Sequence, residues 1–240
     1  RSASETSKND LADTIRAGFE LAGFEVEYTG SYPGWEPKVD AEILKIVKEQ
    51  YETLFGEITT YPVVEMEFHP EANQVEYVLC PARIPDEVAH KARTVALQVA
   101  EALQVVGLLA VELFQTQDDD ILVNEVAPRP HNSGHYSIEA AYTNQFEQHL
   151  RAILNLPLGN TDSKTAGVMV NLVGAEGYQG KVIYENIEQI MAMSGVTPHI
   201  YGKKETRPFR KMGHVTIINE DINQARAIAE KVKQTIKVIA

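Results

Sequence analysis

Apolar residues recur along this chain in two rhythms, one near 3.6 and one near 2, and the rhythms alternate. Leu11, Ile15, Phe19 and Ala22 form a helical stripe, with Gly23 as its stop. Phe24 to Tyr28 alternates as a strand does. Ile43, Leu44, Val47, Tyr51 and Leu54 form a second helical stripe, closed by Gly56. The pattern then predicts strands over about 60–68 and 74–80, joined by a turn at Pro70 and Asn73. Val88, Ala92, Val95, Val99 and Leu103 share one face of a helix over about 86–105. Gly107–Phe114 and Ile121–Val123 read as two strands around a polar turn. A helix follows through Phe146, Leu150 and Ile153, and the polar run 160–164 marks a boundary. Beyond it come a strand at 167–173, a short helix near 185–193, strands near 197–201 and 211–218, and a helix from about 222. The mixture predicts an α+β fold.

Hydrophobic content of 44% and charged content of 23% are ordinary for a soluble protein of 240 residues. Cys80 is the single cysteine, so no intrachain disulfide forms, and a reducing, cytoplasmic setting is expected. It lies in a strand pattern and reads as core. No apolar run reaches membrane-spanning length, and the start of the chain does not read as a signal peptide. Net charge is −12, but residues 161–240 alone carry 11 basic and 8 acidic side chains. An acidic chain argues against nucleic acid as a partner. Lys203, Lys204, Arg207, Arg210 and Lys211 concentrate positive charge locally. Such a cluster suits a small phosphorylated ligand, although by itself it more often marks a solvated hairpin face.

The densest chemistry lies in Asn124-Glu125-Val126-Ala127-Pro128-Arg129-Pro130-His131-Asn132-Ser133-Gly134-His135, a strand end running into a Pro- and Gly-rich loop. A turn centred on Asp118-Asp119 would set Glu112 directly opposite Glu125, with both carboxylates on one face. Two like charges so placed call for a cation between them, and hard oxygen ligands suit Mg²⁺. A slip of one residue would instead separate them as unrelated surface groups. His131 and His135 have the spacing of a helical zinc pair, but the intervening Asn-Ser-Gly argues against a helix. His149 reads as structural.

Four segments carry a resemblance: Asn124–His135, Asn144–Ala152, Tyr201–Lys203 and Arg207–His214. With them, residues 57–240 resemble the second half of carboxyaminoimidazole ribonucleotide synthetases, ATP-grasp enzymes of purine biosynthesis. Phe209 stands where that family usually has glycine. The resemblance implies the C-terminal half of an ATP-grasp fold, an antiparallel sheet with flanking helices over 57–160, followed by a small α/β domain over 161–240. It implies that ATP phosphorylates bicarbonate and that aminoimidazole ribonucleotide is then carboxylated. It assigns Glu112 and Glu125 to Mg²⁺, with Asn124 completing the metal and ATP-phosphate shell. Arg129 would face the bicarbonate-derived group, and His131, Asn132, Ser133 and His135 would shape the imidazole pocket. Lys203 and Arg210 would take the ribonucleotide phosphate, supported by Arg207 or Lys211. Enzymes of this kind are commonly dimers, so a homodimer is admitted and the oligomeric state stays open.

Residues 1–56 resemble part of an aminoacyl-histidine dipeptidase instead, through Phe19–Gly23, Gly30–Pro37 and Tyr51–Gly56. They contain no histidine, so this metallopeptidase resemblance supplies no site. The two resemblances meet near Gly56-Glu57. No glycine-rich phosphate loop is present, and the ATP-phosphate lysines and adenine pocket expected ahead of residue 60 are replaced by the dipeptidase-like stretch. Three readings follow: the synthetase in its second half, a folded fragment that binds ligands without turnover, and a peptidase-related module.

Overall fold

A computed structural model describes residues 58–70, 72 and 74–240. The helix–strand–helix expected over 1–56, the junction at Gly56-Glu57 and the turn at Asn73 lie outside them. In chain order the elements are β1 Glu65–Phe68, β2 Val75–Cys80, α1 Asp86–Leu103, β3 Ala110–Gln115 and β4 Ile121–Ala127. A 3₁₀ turn, Asn132–Gly134, leads to α2 Ser137–Ala140 and α3 Gln145–Ile153. Then come β5 Ala166–Val173, β6 Gly180–Lys181, β7 Ile183–Glu185, α4 Ile187–Met191, β8 Val196–Ile200 and β9 Glu205–Thr206. The chain closes with β10 Lys211–Asn219, α5 Ile222–Thr235 and β11 Lys237–Ile239.

A five-stranded antiparallel sheet in the order β1-β2-β5-β10-β8 organises these elements. Its strands come from both sides of the boundary expected at 160. One face is apolar. Leu79, Val168, Val170, Val215 and Ile217 pack there against Ala225, Ala229 and Val232 of α5. That helix starts at Asp221, whose carboxylate accepts from the amides of Asn223 (2.7 Å) and Gln224 (3.3 Å). Arg226 lays its guanidinium 3.6 Å from the centre of the Tyr77 ring and pairs with Glu67 at 2.8 Å, clipping α5 to the sheet edge.

The opposite face is divided. At one end Val78, Cys80 and Met169 pack with Tyr136 and Ala140. The thiol of Cys80 is fully buried, which raises its pKa, so it is core as expected. At the other end the face turns polar. Directly paired residues share a face, so His199 on β8, His214 on β10 and Asn171 on β5 form one row across three strands. The β3–β4 hairpin is a separate two-stranded sheet with α1 lying against it. Among the described residues, no helix is long and apolar enough to cross a membrane.

Candidate functional site

The β3–β4 hairpin does pair Glu112 with Glu125, but not by the expected route. Gln115 pairs with Ile121, which centres the turn on Asp118 rather than between Asp118 and Asp119. Asp119 takes a left-handed φ of 59°, and Thr116 and Asp120 join through the backbone at 2.9 Å, so the loop holds three residues. Continued unchanged, that ladder would set Glu112 against Asn124. A bulge between Glu112 and Leu113 makes Asn124 the extra residue and moves Glu125 into place. The bulge also swings Asn124 toward the same side, and its amide nitrogen lies 3.5 Å from Glu112 Oε2. Two carboxylates and an amide thus converge. Rotating that amide would offer its oxygen, giving the hard-oxygen donor set that Mg²⁺ prefers. Among the described residues, no group of three or more His, Cys, Asp or Glu side chains could hold a metal ion.

The loop after β4 forms no α-helix across His131 to His135, as Asn-Ser-Gly led us to expect, but it does make a three-residue 3₁₀ turn. His131 caps the 3₁₀ turn: its Nδ1 accepts from the Ser133 amide (3.4 Å) and lies 2.9 Å from the Ser133 hydroxyl. The loop can be this tight because Gln145, buried at the start of α3, ties it from behind. Gln145 Oε1 accepts from the His131 amide (2.8 Å), and its side-chain nitrogen reaches the His131 carbonyl (2.9 Å) and His135 Nδ1 (2.8 Å). A Cβ on Gly134 would meet that same Oε1 at 2.5 Å, so the close approach needs glycine. His131 and His135 therefore spend their Nδ1 atoms on different partners.

His131 Nε2 points back to the hairpin, 3.6 Å from Glu112 Oε1. Burial lowers the pKa of His131, while Glu112 and, more weakly, Glu125 oppose that shift. Arg129 is exposed and donates to the neighbouring Pro130 carbonyl at 3.1 Å. Asn132 faces inward. It exchanges two hydrogen bonds with Asn171 (2.9 and 3.0 Å), and its Oδ1 also accepts from Lys211 Nζ at 3.0 Å.

Lys211 is the hinge between the two predicted sites. Burial lowers its pKa, Glu112 raises it and Lys203 lowers it, so it senses both the carboxylate pair and the basic cluster. Lys203 donates to the Lys211 carbonyl, and burial together with the nearby Arg210 lowers its pKa. Arg210 donates to the Glu205 carbonyl at 2.9 Å. Lys203, Arg210 and Lys211 are therefore neighbours. Arg207 stands apart: it is exposed, and among the described residues its guanidinium has no hydrogen-bond or ion-pair partner, though its carbonyl accepts from the Arg210 amide at 3.1 Å. Phe209, where glycine is usual in the resembled family, holds φ at 60°.

Sequence reasoning missed Gln145, Asn171, His199 and Glu139 as members of this region. Gln145 and His214 sat inside recognised motifs without a role. Asn171 interrupts an otherwise apolar strand, a signal that was there to be read. His149 proves structural, its Nδ1 accepting from the Leu108 amide at 3.0 Å.

Comparison with known proteins sharpens the picture. Residues 40–146 match the ATP-grasp domain family, and residues 167–228 match the phosphoribosylaminoimidazole carboxylase C-terminal domain. The first match begins ahead of Gly56-Glu57, inside the stretch that resembles a dipeptidase. The N5-carboxyaminoimidazole ribonucleotide synthase of Bacillus subtilis is 45% identical over 165 residues, covering 69% of this chain and 41% of that protein. The synthetase structure from Thermotoga maritima superposes with a TM-score of 0.71 at 51% identity, over 77% of this chain and 49% of that one. The Aspergillus clavatus enzyme, solved with ADP and aminoimidazole ribonucleotide, gives a TM-score of 0.66 at 30% identity, over 75% of this chain and 49% of its own. The chain thus spans about half or less of the length of the relatives it matches. The fold is ATP-grasp, α+β with an antiparallel sheet and flanking helices, and carries the C-terminal domain of these carboxylases.

Proposed function

We propose that this chain supplies the metal, bicarbonate and ribonucleotide groups of an ATP-dependent ligase that carboxylates aminoimidazole ribonucleotide in purine biosynthesis. One observation carries the reading: the bulge that gathers Glu112, Asn124 and Glu125 on one side of the hairpin, with His131 and Lys211 linking that group to the basic cluster. Glu112, Glu125 and Asn124 hold Mg²⁺, which when bound neutralises phosphate oxygens of ATP. Arg129 presents its planar fork to the bicarbonate-derived carboxyl. Asn132, fixed by Asn171 and Lys211, presents polar atoms to the imidazole, and His131, Ser133 and His135 wall that pocket. Lys203, Arg210 and Lys211 take the ribonucleotide phosphate, with Arg207 in an outer position.

The domain limits 57–160 and 161–240 belong to the same proposal, as do a homodimer and a cytoplasmic setting. For residues 1–56 the dipeptidase resemblance stands as the proposal of a fragment without a site of its own. The deciding experiment is ATP hydrolysis by the 240-residue chain with bicarbonate and aminoimidazole ribonucleotide, each omitted in turn. Hydrolysis that needs both supports the ligase. Ligand binding without hydrolysis supports the non-catalytic fragment, and neither binding nor hydrolysis rejects the reading.

A further inference from the structure

Beneath the candidate site, the segment after His131 is pinned to three strands by three polar pairs. Asn132 exchanges two hydrogen bonds with Asn171 on β5. His135 stacks on His214 of β10, with ring centres 4.7 Å apart and planes 27° from parallel. Glu139 Oε1 lies 2.8 Å from His199 Nε2 on β8. Residues 132, 135 and 139 have helical spacing, and 171, 214 and 199 are the row across the sheet. The rungs are joined sideways, because His214 also stacks on His199 at 4.4 Å and 14°. His214 is the centre of this array. It is 3% exposed, its Nδ1 lies 3.0 Å from the Tyr201 hydroxyl, and its Nε2 is buried without a partner.

An ordinary core would not keep such a residue there. An imidazole with one orphaned nitrogen costs free energy that an apolar side chain would not. The stack gives a reason for it: a flat, polar-edged ring fits between two imidazoles and still meets Tyr201. We propose that the Asn132–Asn171, His135–His214 and Glu139–His199 pairs form a positioning zipper, with His214 as its central positioning residue, that holds the 131–135 turn in register with Lys211 and Glu112. The functional half of this inference rests on the ribonucleotide-binding role proposed above. His214 acts through His135, on which it stacks.

Polar pairs serve here in place of apolar packing because they are directional. Apolar contacts are non-directional, whereas an amide pair and an imidazole–carboxylate pair each accept one register. A slide of the 132–140 segment along the sheet would break all three rungs together. It would also pull Asn132 Oδ1 away from Lys211.

The test uses the full chain and two variants, His214→Ala and His214→Phe. Hydrogen exchange reads the zipper without any ligand. The amides of Gly134, His135 and Ile138 donate to the carbonyls of His131, Asn132 and His135, so they report the turn directly. In His214→Ala these amides should exchange at least tenfold faster while those of α5 stay within twofold. His214→Phe, which keeps a flat ring in the stack, should restore most of the protection. Calorimetry then reads function: His214→Ala should weaken aminoimidazole ribonucleotide binding at least tenfold with Mg²⁺-ATP binding within twofold, and His214→Phe should recover to within about threefold. Unchanged exchange at Gly134 to Ile138 in His214→Ala overturns the zipper. Faster exchange with unchanged ribonucleotide affinity overturns the positioning role. If the unmodified chain binds no ribonucleotide, the proposed function fails, and the exchange result still decides the zipper.

Discussion

On the β3–β4 hairpin, Phe114, Leu122 and Val123 stand about half exposed, whereas Val170, Val215 and Ile217 on the central sheet are sealed from solvent. Both regions present chemistry, yet they hold it differently. The hairpin sets its carboxylates by backbone register alone: a three-residue loop and a compensating bulge. The sheet sets its polar row by packing, with α5 behind it and the 131–140 segment in front. The lesson is that a pair of carboxylates can be set on a thin element by backbone register alone. A polar array whose members must meet at fixed distances is better built on a rigid core.

Truncation should separate the two regions most. Ile217→Ala empties a fully buried site between β10 and α5 and should cost about 3 kcal/mol. Phe114→Ala removes a larger side chain from the hairpin but should cost under about 0.5 kcal/mol, as surface changes do. Urea denaturation of both variants measures this directly. Comparable losses would mean that the hairpin belongs to the cooperative core.

Acid should attack the sheet's polar face. Burial lowers the pKa of His135 to about 4 and of His214 to about 3, from 6.5. The unfolded chain therefore binds more protons than the folded one between about pH 6.5 and 4. Stability is full above that window and is lost as pH falls through it. Each buried neutral imidazole contributes a slope of about 1.4 kcal/mol per pH unit, so the two together reach about 2.7. His131 adds in the same direction. Glu65, lowered by its bond to Arg83, and Glu230, lowered by its bond to Tyr77, add losses only at lower pH. Comparing His214→Phe with the unmodified chain at pH 6.5, 5.5 and 4.5 isolates the imidazole part. The variant should lose stability more slowly, by roughly one proton's slope. Parallel curves would show that His214 protonates without unfolding.

Much of this was legible in the sequence, and the reasons differ by region. Long stripes such as Val88 to Val99 and the strand 167–173 carry their own periodicity, so α1 and β5 fall where the pattern put them. The Glu112–Glu125 pairing was read correctly from a turn placed half a residue off. The loop's left-handed Asp119 and the bulge at Asn124 are two local departures that cancel, and neither leaves a mark in apolar spacing. The 3₁₀ turn and α2 were invisible because their stability comes from Gln145 and the Asn171–His214–His199 row, distant in sequence. Short β6, β7, β9 and β11 carry too few residues to show a period.

A smaller effect separates the two regions by ligand. Glu125→Gln on the hairpin should weaken Mg²⁺-ATP about tenfold and leave ribonucleotide binding within twofold. Arg210→Ala beside the sheet should do the reverse, because a charge-assisted hydrogen bond to phosphate is worth about 1.5–3 kcal/mol. Neither change should move the unfolding midpoint much, since both side chains lie outside the two buried clusters. Calorimetric titration of both ligands on both variants decides it. If both substitutions weaken both ligands alike, the two regions act as one coupled site through Lys211.

The smallest effect tests the loop that joins the basic cluster to the sheet. Phe209 holds φ at 60°, where an L side chain is strained by about 1–2 kcal/mol and glycine is not. The strain is imposed from both sides. The Phe209 amide donates to the Gly174 carbonyl at 2.9 Å, and a Cβ on Gly174 would meet the Arg207 carbonyl oxygen at 2.1 Å, so the two backbones are locked together. The ring recovers part of the cost through an edge contact with His69, 6.3 Å between centres. Replacing Phe209 by Ala discards that contact and keeps the strain. Replacing it by Gly discards the contact and removes the strain, against a modest gain of freedom in the unfolded chain. Phe209→Gly should therefore be more stable than Phe209→Ala by about 1 kcal/mol, the reverse of the order expected in a helix or strand. Thermal unfolding of the pair measures the difference. If alanine proves as stable as glycine, the left-handed backbone at this position is not enforced, and the register of Arg207 and Arg210 is looser than the geometry implies.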